Sequence, residues 1–342
     1  MCSSDLIYNL AQQPDFKEAV LERFTLPGSG ITEVEDVNVM VPYEMNGGYY
    51  AFPNTTSFLV MFYRKDIFED NNWEVPQTWD DVIDLVTELQ VSNLDFYLPL
   101  EGAGSQIYST ILYQMGGQLY TDDHTACDLS TEVAKKAFEQ WCSYFCDYSF
   151  ELAASFTNRF RSGEMPIGIS SFTLYNTLSV FAPDIAGKWA FAPLPGYMDE
   201  DGNIINKGAL ASTAVVVMEN AKDKDASWDF IKFWTSTDIQ TMFSQEIESI
   251  LGSGARHNTA NINAMQNLAW NKEEITILTS QFQNAFGIPE VPGGYYISRN
   301  LENAIREVIN NDSDERETLA EYVELINSEI TRKREEFKDR LS

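Results

Sequence analysis

Segments of helical and of strand periodicity alternate along the whole chain, and this alternation constrains the fold more than any other feature. Two of the strands are nearly unbroken apolar runs, residues 58–63 and 209–218. Runs of that kind suit strands covered on both faces. Further strands are predicted at 96–100, 165–170 and 189–194, and a hairpin at 41–53 turns on Asn46-Gly47, whose residues tolerate positive φ. Helices are predicted at 15–24, 106–115, 131–146, 174–180, 226–234, 239–244, 274–286, 301–310 and 316–337. Another starts at Thr78, capped by its hydroxyl with Asp81 at the third position and Val82, Leu85, Val86 and Leu89 as its apolar stripe. Strands interleaved with helices in this way predict an α/β fold rather than a sandwich or a bundle.

At 342 residues the chain has room for two domains, and 44% hydrophobic residues supply their cores. Acidic side chains number 52 against 23 basic ones, a net charge of -29. Nucleic-acid affinity needs Lys and Arg to displace counterions, so this balance disfavours nucleic acid and anionic lipid as partners. No apolar run approaches the roughly 20 residues that span a bilayer. The start, Met1-Cys2-Ser3-Ser4-Asp5-Leu6, has no signal-peptide pattern. It reads as a cloning or sequencing scar on a truncated frame, the alternative being the acylated Cys2 of a lipoprotein.

Nucleophilic catalysis finds little support. The two histidines, His124 and His257, have no Gly-x-Ser-x-Gly elbow to serve. Cys127, Cys142 and Cys146 read as small buried residues, with a metal site or a Cys127 disulfide as alternatives. The turn Asp199-Glu200-Asp201-Gly202-Asn203 resembles a calcium loop but has Leu210 where the twelfth-position Glu belongs. It is expected to be a polar turn within 197–207, and neither a metal nor a cofactor is expected.

Aromatic residues beside small polar ones recur near the ends of predicted strands: Phe52 to Ser57, Gly104 to Tyr108, Ser170 to Tyr175 and Pro292 to Tyr296. Ligands bind at strand ends in open α/β folds. An aromatic face stacks on a sugar's C–H face while Asn, Ser and Thr bond its hydroxyls, so the clusters point to a neutral polyol ligand.

The stretch Tyr49-Tyr50-Ala51-Phe52-Pro53, followed by Phe58 to Phe68 and Val75-Pro76-Gln77-Thr78-Trp79-Asp80-Asp81, resembles the extracellular solute-binding proteins of family 1, the sugar receptors of ABC importers. The likeness continues through Leu112-Tyr113-Gln114-Met115-Gly116-Gly117, Ala182-Pro183-Asp184-Ile185, Lys222 to Phe233 and Glu290-Val291-Pro292-Gly293-Gly294-Tyr295-Tyr296.

This resemblance implies a two-lobed periplasmic-binding-protein fold of type II, with the N-terminal lobe incomplete because nothing before Ile7 supplies its first strands. Residues 7–60 and 214–258 would form the N-lobe, and 61–213 and 259–342 the C-lobe. The hinge crossings would fall near 58–63, at 209–217 and after 256. The expected sugar site comprises the polar loop Asn54, Thr55, Thr56 and Ser57 before the hinge, Tyr108 at a helix start, Ser170, Phe172 as the aromatic platform, Tyr175, and the pair Tyr295 and Tyr296. The implied function is the substrate-binding component of an ABC importer, passing a sugar or oligosaccharide to permease subunits. It would be no enzyme but a monomer, extracellular and lipid-anchored to the membrane. The alternatives are a secreted glycoside hydrolase using two of the many acids, and a receptor for a peptide or polyamine.

Overall fold

The computed structural model of the chain describes residues 6–102 and 104–338. Met1 to Asp5, hence Cys2 and nearly all of the expected scar, lie outside the described residues. The chain runs through α1 (Phe16–Phe24), a hairpin of β1 (Glu44–Met45) and β2 (Gly48–Tyr49), and the long strand β3 (Phe52–Arg64). Then come α2 (Lys65–Asn71), α3 (Trp79–Val91), β4 (Phe96–Tyr97), α4 (Gly104–Gln114), α5 (Glu132–Cys146), α6 (Phe156–Ser162) and β5 (Ile167–Ser171). Next are α7 (Leu174–Phe181), β6 (Trp189–Ala192), a hairpin of β7 (Tyr197–Met198) and β8 (Ile204–Ile205), and β9 (Gly208–Val215). The last third holds α8 (Lys224–Thr235), α9 (Thr237–Leu251), α10 (Ile262–Met265), α11 (Lys272–Gln283), β10 (Ala285–Phe286), α12 (Tyr295–Asn311) and α13 (Glu315–Glu336).

β3 organises the molecule. Its first half pairs antiparallel with β9, Phe58 opposite Leu210, and its second half pairs with β5 on one side and β6 on the other. The central sheet runs β10-β9-β3-β5-β4, with β6 also on β3. Successive strand residues point to opposite faces. Leu59 and Met61 therefore enter one core, and Phe58, Val60 and Phe62 enter the other. Each such side chain contributes roughly 1.5–3 kcal/mol by leaving water, which explains the unbroken apolar run.

The first core lies under α3, α4, α5, α12 and α13 and includes Trp79, Tyr108, Trp141 and Leu301. α3 is anchored there by its start. Asp81 N–H donates to the Thr78 hydroxyl at 3.2 Å, while the Asp81 carboxylate accepts from Thr78 N–H at 2.8 Å. This reciprocal cap sets buried Trp79 where its indole donates to Gln114 at 2.7 Å. The second core joins α1, α8 and α10 to the opposite side of the sheet, through Phe16, Phe52, Trp228, Ile262 and Phe191.

Several elements differ from expectation. Residues 54–57 are part of β3, not a loop: Thr56 N–H donates to the Asn258 carbonyl and Ala260 N–H to that of Asn54, at 2.9 and 3.0 Å. A second flanking segment thus satisfies this backbone, and two threonines suit a strand half open to solvent. The hairpin turn itself forms as predicted, with Asn46 and Gly47 at φ 53° and 75°, but β3 begins only at Phe52. The expected helix 274–286 stops at Gln283, so that Ala285 and Phe286 can pair in parallel with Gly208 and Ala209. The expected 239–244 helix extends over all of α9. The acidic turn at 199–203 closes the β7–β8 hairpin, with Asp199 Oδ1 accepting from the N–H groups of Asp201 and Asn203 at 3.0 and 2.7 Å. Residues 259–265 pack against α1: Asn263 donates to the Glu22 and Thr25 carbonyls at 2.7 and 3.1 Å.

Candidate functional site

A cleft of about 410 Å³ opens where four parts of the chain converge. One wall is Pro42 and Tyr43, in the 3-10 turn Asn38–Tyr43, together with Leu210, Ala211 and Ser212 of β9. The opposite wall is the start of α4 (Ser105, Gln106, Ser109) and the start of α12 (Tyr295, Ile297, Ser298). Leu119, Tyr120, the segment Ile288-Pro289-Glu290 and Gly294 complete the lining.

Each wall is fixed by hydrogen bonds or close packing. The Tyr43 hydroxyl bonds the Ser212 hydroxyl at 2.8 Å and donates to the Ser212 carbonyl at 3.1 Å, tying the turn to β9. Burial raises its pKa, an effect the bond to Ser212 opposes, so it stays a neutral phenol. Ser105 and Ser109 stand one helical turn apart, so α4 presents a hydroxyl stripe to the cleft. Its other face, Ile107, Tyr108 and Ile111, is fully buried. The Ser105 hydroxyl meets that of Ser298 at 2.8 Å, joining α4 to α12. Tyr295 is 64% exposed, and its hydroxyl donates to the Glu329 carboxylate. Burial pushes Tyr120 well above the ordinary phenol value and raises the carboxyl of Glu290, a residue that still keeps solvent contact. The wall therefore combines aliphatic residues such as Leu119, Leu210, Ile288 and Ile297 with tyrosines, hydroxyls and one carboxamide, and Glu290 is its one charged side chain among the described lining residues.

The expected site residues divide between the cleft and the cores. Thr55 and Ser57 lie on one face of β3. The Thr55 hydroxyl meets that of Thr213 at 2.6 Å, and Ser57 lies opposite Ala211, which lines the cleft. Tyr295 lines the cleft directly, with Tyr296 edge-on to it at 6.2 Å.

The others turn away. Thr56 points to the opposite, buried face and is 0% exposed. Phe172 continues β5 on that same face and packs on Phe58 at 4.7 Å, so the expected platform is a core side chain. Tyr108 is likewise in the core, its hydroxyl donating to the Ala134 carbonyl at 3.1 Å. It stands about a third of a helical turn from Ser109, and at 0% exposure, between Phe138 and Trp141, it has no surface to offer a ligand. The Asn54 carboxamide accepts from the Trp234 indole at 2.7 Å. Ser170 pairs with Val60 inside the sheet. Tyr175 sits against Trp189 and Trp270, beneath the Arg256 guanidinium at 4.8 Å.

Tyr43, Gln106, Ser109, Tyr120, Ser212, Glu290 and Ser298 line the cleft but were not among the expected residues. For α4 a signal was available: the polar positions 105, 106 and 109 form one stripe at helical spacing. Tyr43 and Ser212 offered none, because only the pairing of β9 with β3 brings their surroundings together.

Among the described residues, no group of three or more His, Cys, Asp or Glu is placed to hold a metal ion, and no helix is long and apolar enough to cross a membrane. Cys127 and Cys142 are buried free thiols and Cys146 is exposed.

The fold resembles those of solved sugar receptors. The sugar-binding protein MalE of Xanthomonas citri matches with a TM-score of 0.78 at 17% identity, covering 98% of this chain and 81% of that one. A solute-binding protein of Thermotoga lettingae bound with alpha-D-tagatose matches at 0.72 with 18% identity, covering 95% and 80%. The chain thus has the two-lobed α/β fold of these binding proteins. A binding protein of Brucella abortus (strain 2308) is 23% identical over 279 residues, 78% of this chain and 64% of the relative. The arabinooligosaccharide-binding protein of Halalkalibacterium halodurans is 25% identical over 236 residues, 61% of this chain and 48% of the relative. The chain therefore spans about two thirds or less of the length of these relatives. Residues 1–260 match the family model described as bacterial extracellular solute-binding protein, and the chain belongs to that family.

Proposed function

We propose that this chain is the substrate-binding component of an ABC importer, and that it holds a neutral sugar or oligosaccharide in the cleft between α4, α12 and β9. The lining carries the reading. Three tyrosines supply apolar faces, Ser105, Ser109, Ser212, Ser298 and Gln106 supply donors and acceptors, and Glu290 is the single charged side chain of the described lining. A neutral ring with hydroxyls on its rim matches that composition. The arabinooligosaccharide-binding relative and the sugar-bound neighbours support the same ligand class.

Glycoside hydrolysis needs two carboxyl groups facing each other, and the described lining offers one. A polyamine would need several carboxylates, so one glutamate disfavours that reading too. In this proposal the two lobes meet along β3 and β9, and closure over the sugar signals occupancy to the permease. Residues 259–265 go with the lobe of α1, and the receptor acts as a monomer outside the cell, with lipid anchorage part of the same reading.

Calorimetric titration of the purified chain with arabino- and malto-oligosaccharides, and with spermidine as the cationic control, tests the proposal. Saturable binding of a neutral oligosaccharide, recovered intact afterwards, is the expected result. Binding of spermidine alone, or hydrolysis products in the recovered sugar, would overturn it.

A further inference from the structure

We propose that Glu329 and Arg332 on α13 are positioning residues that hold the ring of Tyr295 in its ligand-facing pose. The proposal rests on the cleft being the sugar site. An aromatic ring 64% exposed at the start of a helix is ordinarily free to change rotamer. Here its hydroxyl donates to the Glu329 carboxylate. Glu329 is in turn held by a two-pronged bond from Arg332, Nε to Oε2 and Nη2 to Oε1, both 2.7 Å. The Glu329 side chain is only 15% exposed, although it belongs to a charged surface helix. Arg332 and the Tyr295 hydroxyl hold its pKa at about 2, so it remains an acceptor throughout the neutral range.

Backbone packing aims Tyr295 at this acceptor. Gly293 has φ +87°, and a Cβ there would stand 2.8 Å from Ile330 Cα and 3.0 Å from the Glu329 carbonyl. The chain can lie this close to α13 only without a side chain. A Cβ on Gly294 would come within 2.5 Å of the Tyr120 hydroxyl, itself in the cleft wall. Two consecutive glycines therefore seat the segment between α13 and Tyr120 and deliver Tyr295 above Glu329. A ring fixed before the ligand arrives loses less conformational freedom on binding.

The test compares Glu329→Leu, Tyr295→Phe and the double variant, titrated with maltotriose and arabinotriose. Each single change should weaken binding by about three- to tenfold, and the double should be no weaker than the worse single, because both break one link. Additive losses, or unchanged affinity in Glu329→Leu, would overturn the proposal. A ligand-independent reading comes from 3-fluorotyrosine placed at position 295, whose ¹⁹F resonance should be single in the parent chain and averaged or broadened in Glu329→Leu. An unaltered ¹⁹F spectrum would refute the restraint whatever the ligand. An altered spectrum in a chain that binds neither sugar would uphold the restraint and remove the sugar reading instead.

Discussion

Phe172→Ala separates a core residue from a ligand platform at one position. Phe172 is 3% exposed, its ring centroid lies 4.7 Å from that of Phe58, and Phe58 in turn contacts Phe282 edge-on at 6.1 Å. Truncating a buried Phe to Ala costs about 3–5 kcal/mol through lost transfer energy and the cavity left behind. Part of that, about 0.5–1.5 kcal/mol, is the ring pair itself. For a chain of this size, with a urea dependence of about 3 kcal/mol/M or more, the unfolding midpoint should fall by roughly 1 M. Urea titration followed by tryptophan fluorescence measures the shift, and oligosaccharide titration of the folded variant at low urea measures affinity. The expected result is a large fall in midpoint with affinity changed less than about threefold. An unchanged midpoint with affinity lost tenfold would refute the argument from strand parity and return the ring to the cleft.

Two further expectations concern the region where α7 meets the 3-10 turn Ser253–Ala255. Arg256 is 5% exposed, stacked over Trp270 at 4.2 Å and paired with Glu248 at 2.6 and 3.0 Å. Glu248→Gln should destabilise the fold by about 3 kcal/mol by leaving a buried guanidinium uncompensated, and adding Arg256→Met should recover much of that. A double variant less stable than Glu248→Gln in thermal unfolding would contradict this account. Burial lowers the pKa of His257 below 6.5. The unfolded chain then binds the extra proton first, so this group's contribution is complete above pH 6.5 and is lost as pH falls, by at most about 1.4 kcal/mol per pH unit. His257→Gln should flatten the pH dependence of the urea midpoint between pH 6.5 and 5, and an equally steep profile in the variant would show that another group is responsible.

Local rules foretold much of the architecture. Thr78 and Asp81 form their cap and Asn46-Gly47 makes its turn, because each depends on neighbours within a few residues, and the apolar run at 58–63 is buried on both faces because so continuous a run leaves no face for water. Three short helices, α2, α6 and α10, went unforeseen, since four to seven residues are too few for periodicity to register. The site was less legible. Tyr295 was named from its cluster and lies in the cleft. Phe172 and Tyr108 belonged to equally persuasive clusters and lie in the cores. A one-residue change of strand phase or a third of a helical turn decides between those fates, and composition carries no phase.

The sequence by itself determined the α/β class and the family, because hydrophobic period, caps and motif order are written along the chain. Only the tertiary structure decided which aromatics meet a ligand and which fill a core. That choice depends on which helix and strand faces the two cores cover, and on two glycines that let residues 293–295 lie against Glu329 and Ile330 of α13, more than thirty residues further on. Contacts between such distant segments leave no local pattern to read.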